Sequence, residues 1–345
     1  SNRSTQAVFF DFDKDGDLDV YIVNAPYSNK RMENLIDLKT IKNDSTTKAL
    51  GGSDSFYENI GNNKFVNISE NAGIVPDIAF GLNAQVGDLN NDGWLDIYVN
   101  NDFEMPDFSY INNQDGTFTD QRETMFKHQS FYSMGGDIAD INNDQQLDIF
   151  SLDMMPFDHE IFLKSGGEDS DKVSQIKENF GFRKQYARNT LQLNQQNKAF
   201  TDIALMTNTY ATDWSWSALI QDYDNDGHND IYVTNGIYKR PNDLDYINYL
   251  SNVNFSKYNQ SQQNDLEESI IKQIPTIKIP NVVFRNKGDL EFEMLTDKAG
   301  SNPSYSNGSA YSDLDNDGDL DIVVNTINQT ALLLENKSTD TINNN

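Results

Sequence analysis

Asp313-Leu314-Asp315-Asn316-Asp317-Gly318-Asp319-Leu320-Asp321, running on into Ile322-Val323-Val324-Asn325, decides the fold. Carboxylates at positions 1, 3, 5 and 9 of such a loop can converge on a hard cation, which takes roughly six to eight oxygen ligands. Position 7 adds a backbone carbonyl, and Gly at position 6 permits the left-handed backbone of a tight turn. The residues that follow are β-branched, so the loop opens into a strand. An EF-hand would continue into a helix and carry Glu at position 12. Here Val324 stands at that position.

The same pattern returns four more times. Asp11, Asp13, Asp15, Asp17 and Asp19 hold positions 1, 3, 5, 7 and 9 ahead of Val20-Tyr21-Ile22. Asp88, Asn90, Asp92, Trp94 and Asp96 precede Ile97-Tyr98-Val99, and Asp140, Asn142, Asp144, Gln146 and Asp148 precede Ile149-Phe150. Asp222, Asp224, Asp226, His228 and Asp230 precede Ile231-Tyr232-Val233. With Asp313, Asp315, Asp317, Asp319 and Asp321 these are the candidate calcium ligands. Asp, Asn and Gly also make ordinary hairpin turns, which would explain one such loop. Five in register, each with several mutually repelling carboxylates, point to Ca²⁺. The first, fourth and fifth loops carry Asp at positions 1, 3, 5 and 9, whereas Asn90 and Asn142 stand at position 3 of the second and third. The third also has Gln145 where Gly belongs, so it is expected to be the weakest site, because a side chain there disfavours the left-handed turn.

A second element alternates with the first. It reads Phe56-Tyr57-Glu58-Asn59, Tyr110-Ile111-Asn112-Asn113, Leu191-Gln192-Leu193-Asn194 and Val283-Phe284-Arg285-Asn286, each followed by a turn and a short strand around Phe65, Phe118, Phe200 or Phe292. Each repeat is therefore two hairpins, or four short strands, and such units repeated around an axis make an all-β propeller. The repeats of this single domain fall at about 1–75, 76–125, 126–205, 206–300 and 301–345. Insertions lie at about 25–55, 153–188 and 236–280, the last with a helical pattern over Asp243 to Ile274. Loops on a rigid scaffold are where binding usually resides.

The 345 residues include 26 Lys+Arg and 54 Asp+Glu, a net charge of −28. That field argues against a nucleic-acid partner and against an anionic membrane surface. No apolar run approaches the ~20 residues of a spanning helix. Aromatics at 11% argue against a disordered acidic chain,. With no cysteine, disulfides, thiol catalysis and cysteine metal sites are excluded,.

Four further stretches narrow the reading: Asn100-Asn101-Asp102-Phe103, Ser133-Met134-Gly135-Gly136, Asp213-Trp214-Ser215-Trp216-Ser217-Ala218 and Ser306-Asn307-Gly308. With the acidic loops they make the chain resemble the FG-GAP/VCBS repeat propellers, which include the integrin α-chain head domains. Within these it is similar to the propeller of the ASPIC/UnbV, cartilage acidic protein-like group. The resemblance covers the propeller, without an ASPIC/UnbV module. It implies an exported calcium-binding module of adhesion or scaffolding type, and about seven blades, of which five repeats are visible. The missing blades would then be partners of this segment. A closed ring of five, with Arg3 to Gln6 supplying an outer strand, is the alternative.

The leading functional expectation is a non-catalytic module that binds a protein or glycan at the cell surface or outside the cell. Trp214 and Trp216 alternate in a strand and would share a face, either as packing between blades or as an aromatic platform. Arg188 and Arg183 stand out in so acidic a chain, as carboxylate bridges or as a clamp on an anionic ligand. His159 reads as a loop residue. The competing class is a carbohydrate-active lyase or hydrolase working at the axial face, with Asp102, Asp153 and Asp213 as candidate acids or bases. Neither Gly-x-Ser-x-Gly nor His-Glu-x-x-His occurs. A third reading is a structural repeat with no ligand of its own.

Overall fold

The computed structural model describes residues 3–339 apart from 27–51, 75, 168, 197–198, 255–259 and 301. The first insertion therefore lies almost wholly outside the described residues.

Each acidic loop is the tip of a hairpin. In the first blade β1 (Arg3–Phe10) pairs with β2 (Asp19–Ala25), β3 (Ser55–Asn59) and β4 (Phe65–Asn67), in that order. The second repeats this with β5 (Phe80–Gly87), β6 (Asp96–Asp102), β7 (Phe108–Asn112) and β8 (Phe118–Asp120). Two short strands, β9 (Gln129–Ser130) and β12 (Gln185–Tyr186), pair in parallel beside the third blade. That blade is β10 (Gly135–Ala139), β11 (Asp148–Leu152), β13 (Thr190–Asn194) and β14 (Phe200–Asp202). The fourth is β15 (Ser215–Gln221), β16 (Asp230–Asn235), β17 (Val282–Asn286) and β18 (Phe292–Leu295). The fifth shows three strands among the described residues, β19 (Ser306–Ser312), β20 (Asp321–Thr326) and β21 (Leu332–Leu334).

All pairings within the blades are antiparallel. The first strands of successive blades, β1, β5, β10, β15 and β19, touch one after another and form the inner wall of the propeller. Arg3 to Gln6 lie in β1, paired with Ala25 to Val23, so they do not supply an outer strand to the last blade. The reason is register: Phe10 opposite Asp19 fixes the hairpin, and the residues before it continue the same ladder.

The second strand of the first four blades is buried almost throughout because both of its faces are covered, whereas in the fifth Val323 and Asn325 are exposed on one face of β20. Ile97 and Val99 belong to a core shared with the first blade, built on Phe10, Phe12, Tyr21, Phe56 and Phe108. Tyr98, between them, faces a different core with Phe126, Ile149 and Phe200 of the third blade's region. The alternation repeats at Ile231 and Val233 on one side and Tyr232 on the other. Each such side chain contributes about 1.5–3 kcal/mol by burial, so the blades hold together by stacking face to face. Close approach also needs Gly135, where an added Cβ would sit 2.1 Å from the Trp216 carbonyl oxygen of the next blade.

This connectivity sorts the loops onto two faces. The acidic loops and the turns between third and fourth strands lie on one. The insertions, which join second to third strands, lie on the other. The second insertion carries the helices α2 (His159–Lys164) and α3 (Asp171–Asn179), after α1 (Arg122–Met125) in the second blade's outgoing linker. The short α4 (Ala204–Thr207) precedes the fourth blade, and the third insertion carries α5 (Leu244–Ser251) and α6 (Gln260–Gln273). Asp158 and Asp243 cap α2 and α5, accepting from the Ile161 and Tyr246 amides at 3.0 Å.

Candidate metal centres

The five loops share one hydrogen-bond scheme. The amide at position 6 donates to the position-1 carboxylate: Gly16 to Asp11 at 3.1 Å, Gly93 to Asp88 at 2.7 Å, Gln145 to Asp140 at 2.7 Å, Gly227 to Asp222 at 2.8 Å and Gly318 to Asp313 at 3.2 Å. The position-7 amide donates to the position-5 carboxylate at 2.9–3.1 Å, from Asp17, Trp94, Gln146, His228 and Asp319. Position 6 is left-handed everywhere, and Gln145 adopts φ 68° there without the freedom of glycine. Position 4 is left-handed as well, at Lys14, Asn91, Asn143, Asn225 and Asn316. Asn tolerates that region, which explains its recurrence.

The position-9 aspartates are the keystones of the scheme. Their Oδ2 atoms accept from the position-2 amides, at 2.8 Å for Leu89 to Asp96 and 2.9 Å for Ile141 to Asp148. Their Oδ1 atoms accept from the third strand, where the amides of Asn59, Asn112, Asn194, Asn286 and Asn336 reach Asp19, Asp96, Asp148, Asp230 and Asp321, each at 2.8 Å. These carboxylates are buried. Burial pushes Asp19 up to about 6, and Asp96, Asp148 and Asp230 up to about 7, against the pull of those amides. They tie the loop to its blade, and a cation would reach only the lone pairs the amides leave.

Carboxylate oxygens converge, all within 4.8 Å of one another, at Asp11, Asp13 and Asp15, at Asp222, Asp224 and Asp230, and at Asp313, Asp315 and Asp317. These are the loops with Asp at position 3. Asp11 Oδ1, Asp17 Oδ1, Asp224 Oδ1, Asp313 Oδ1 and Asp319 Oδ1 are buried and accept no hydrogen bond. Orphaned anionic oxygens are costly, and a hard cation is the partner their chemistry fits. Burial and neighbouring carboxylates raise Asp13, Asp17 and Asp315 above the usual range, the strain a cation would relieve. Two loops have local counter-charges. Arg285 pairs with Asp224 at 2.6 Å, and Lys14 lies over the Trp94 ring, 4.2 Å from its centroid.

The insertion face carries the other candidates, with the Asp153 and Asp213 segments joined by the Ser215 amide donating to the Asp153 carbonyl at 3.2 Å. Asp153 is saturated, with Ser130 Oγ and the Phe131, Tyr132 and Met154 amides donating to it. Asp213 pairs with the buried Arg240, which the sequence reading did not single out. Asp102 accepts from the Phe103 amide at 3.0 Å, and burial beside the Asp153 charge raises it to about 8. Arg188 bridges Asp202 at 2.8 Å, and His128 reaches the same oxygen at 2.9 Å. Arg183 donates to the Arg122 and Phe126 carbonyls. Trp214 precedes β15, and the ladder slips between Ser215 and Ser217, so the simple alternation expected for Trp214 and Trp216 is interrupted at a bulge. The Trp216 indole donates to the Gly236 carbonyl at 2.8 Å.

Residues 45–99 match the family model of the FG-GAP-like repeat. That stretch contains the third and fourth strands of one blade and the acidic loop of the next. No curated protein matches the chain. Among solved structures it is similar to the V. cholerae biofilm matrix protein Bap1, at 17% identity and a TM-score of 0.36. The alignment covers 90% of this chain and 42% of that one.

Proposed function

We propose that this chain is a calcium-stabilised binding module, exported from the cell, with calcium in the acidic loops and a protein or glycan at the insertion face. The observation that carries the metal reading is the set of buried carboxylate oxygens at Asp11, Asp224 and Asp313 that accept no hydrogen bond. It is supported by the FG-GAP-like repeat match. The ligands would be positions 1, 3 and 5, the position-7 carbonyl and the free lone pairs of position 9. Calcium there cross-links the two strands of each hairpin in a chain without disulfides.

Export is part of the same reading: loops with the roughly 10⁻⁴–10⁻³ M affinity of extracellular modules would fill outside the cell and be empty at cytosolic calcium. The grouping with ASPIC/UnbV, cartilage acidic protein-like propellers rests on the Trp214-Ser215-Trp216 and Met134-Gly135-Gly136 segments. A binding role for the insertion face is supported by its long insertions, since loops on a rigid scaffold carry binding, and their helices expose Phe162, Leu163, Ile176 and Ile247. A non-catalytic role is supported by the saturated carboxylate of Asp153.

Calorimetric titration of the metal-stripped chain with CaCl₂ into the millimolar range, repeated with Asp11→Asn, Asp222→Asn and Asp313→Asn, tests the metal reading. Saturable binding that weakens in the variants supports it, and no binding across that range sinks it. Protease shaving of intact producing cells tests export: loss of the protein without lysis supports it, and full protection contradicts it.

A further inference from the structure

Position 8 of the acidic loops is Leu18, Leu95, Leu147 and Leu320 in four blades and Asn229 in the fourth. The exception has a structural use. Asn229 Nδ2 donates to the backbone carbonyl of Asp140, position 1 of the neighbouring third loop, at 2.7 Å. The third loop answers with Asn143, whose Nδ2 donates to the Gly227 carbonyl at 2.9 Å and lies 3.3 Å from His228 Nδ1. Asn286 adds a third link, donating to the Ile141 carbonyl at 2.9 Å and the Asn229 carbonyl at 3.0 Å. The Asn286 link recurs between other neighbouring blades, as with Asn112 and Asn194. The Asn229 and Asn143 links are particular to this pair among the described residues. They join the loop that lacks its glycine to one that has Asp at positions 1, 3, 5 and 9.

We infer that the third and fourth loops bind calcium as a coupled pair, with Asn229 and Asn143 as positioning residues that let the fourth loop prepare the third. This rests on the calcium reading above. A cation in the fourth loop fixes Asp226, His228 and Asp230, and with them Asn229 between the last two. Asn229 then holds the Asp140 peptide, and Gly227 holds Asn143, so the third loop pays less ordering entropy when it binds. Such coupling offsets the left-handed turn forced on Gln145. It is reciprocal, so loading the third loop tightens the fourth by the same factor.

The test uses the whole chain and terbium as the probe. Trp94 stands at position 7 of the second loop, where its indole would sensitise bound terbium. A Trp94→Phe, Gln146→Trp background moves that sensitiser to the third loop, so indole-excited emission reports that loop. Asp226→Ala disables the fourth loop. Asn229→Leu restores the residue found at position 8 in the other four loops, and Asn143→Gly removes the side chain while keeping the left-handed backbone at φ 60°,; neither removes a ligand of either loop. The expected result is a third-loop midpoint about fivefold or more higher in all three variants, the lower end of ordinary coupling. Equal midpoints in all of them overturn the coupling while leaving the calcium reading intact. If calorimetry of the unaltered chain shows no calcium or terbium binding at any loop, the calcium reading fails and the coupling fails with it.

Discussion

Asn112 Nδ2, at the end of the third strand of the second blade, donates at 2.9 Å to the carbonyl of Phe12, position 2 of the first blade's acidic loop. The same group donates at 3.3 Å to the Leu95 carbonyl of its own loop, while the Asn112 amide is held by Asp96. Asn194, Asn286 and Asn336 repeat the arrangement, reaching Leu89, Ile141 and Tyr223. In the second to fifth blades one asparagine thus fastens its own loop and its neighbour's.

Replacing Asn112, Asn194 or Asn286 by Ala should therefore strand two loop carbonyls. At about 1–3 kcal/mol per unsatisfied buried group, urea unfolding should show a loss of roughly 2–4 kcal/mol for each. Asn59 donates only to Leu18 of its own loop, so Asn59→Ala should cost distinctly less. Equal losses at Asn59 and Asn112 would show that the bond between blades contributes nothing.

The keystone and the ligand aspartates should separate experimentally. Asp96→Ala removes the acceptor for both the Leu89 and Asn112 amides, so it should destabilise the chain with calcium or with chelator alike. Asp11→Asn keeps an acceptor for the Gly16 amide, changes an oxygen that accepts no hydrogen bond and removes one carboxylate. It should leave the chelator-treated chain unchanged within ~0.5 kcal/mol and lower only the gain from calcium. Matching losses for the two variants in chelator would contradict the division of roles.

Much of this was legible in advance, and the limits are instructive. The acidic loops and hairpins announce themselves because Asp spacing and β-branched runs are local signals, and Phe118, Phe200 and Phe292 mark the fourth strands. The keystone use of Asp19 or Asp96 is not local. It depends on an amide 40 residues away at Asn59 or 16 away at Asn112. Asp107 is hidden for the same reason: on the insertion face it accepts from the Asn101 amide at 2.8 Å and the Tyr98 hydroxyl at 2.8 Å. Asp54 does so for Asn24 and Tyr21 at 2.7 Å each. The ladder slips between Ser215 and Ser217, so the alternation assumed for Trp214 and Trp216 meets a bulge that period-2 reasoning cannot see. Asn229 was visible as a departure from Leu at position 8, and only the fold shows what it meets.

Gln145→Gly should relieve the left-handed backbone at φ 68°. The relief is about 1 kcal/mol, seen as a higher unfolding midpoint in chelator and tighter binding at the third loop. A lower midpoint would show that the Gln145 side chain supplies more than its backbone costs.

Acidity should stabilise the metal-stripped chain. Burial raises Asp102 to about 8 and Asp107 to about 7, above the ~3.9 of an unfolded aspartate. Folding thus favours their protonated forms. Their contribution is fully present below pH ~4 and is lost as pH rises through the folded values. In chelator, unfolding free energy should fall between pH 5 and 8 on this account, and Asp102→Asn should flatten the decline and be the more stable chain at pH 8. An unchanged slope in Asp102→Asn would place that carboxyl in an ordinary environment.

The most direct test of the calcium loops is thermal unfolding of the metal-stripped chain with millimolar CaCl₂, with MgCl₂, and with neither. Each loop held at about a hundred times its Kd adds roughly 2.7 kcal/mol if the unfolded chain does not bind. The expected result is a large upward shift in Tm with calcium and little with magnesium. The same Tm in all three samples would contradict calcium binding and leave the acidic loops as hairpin turns.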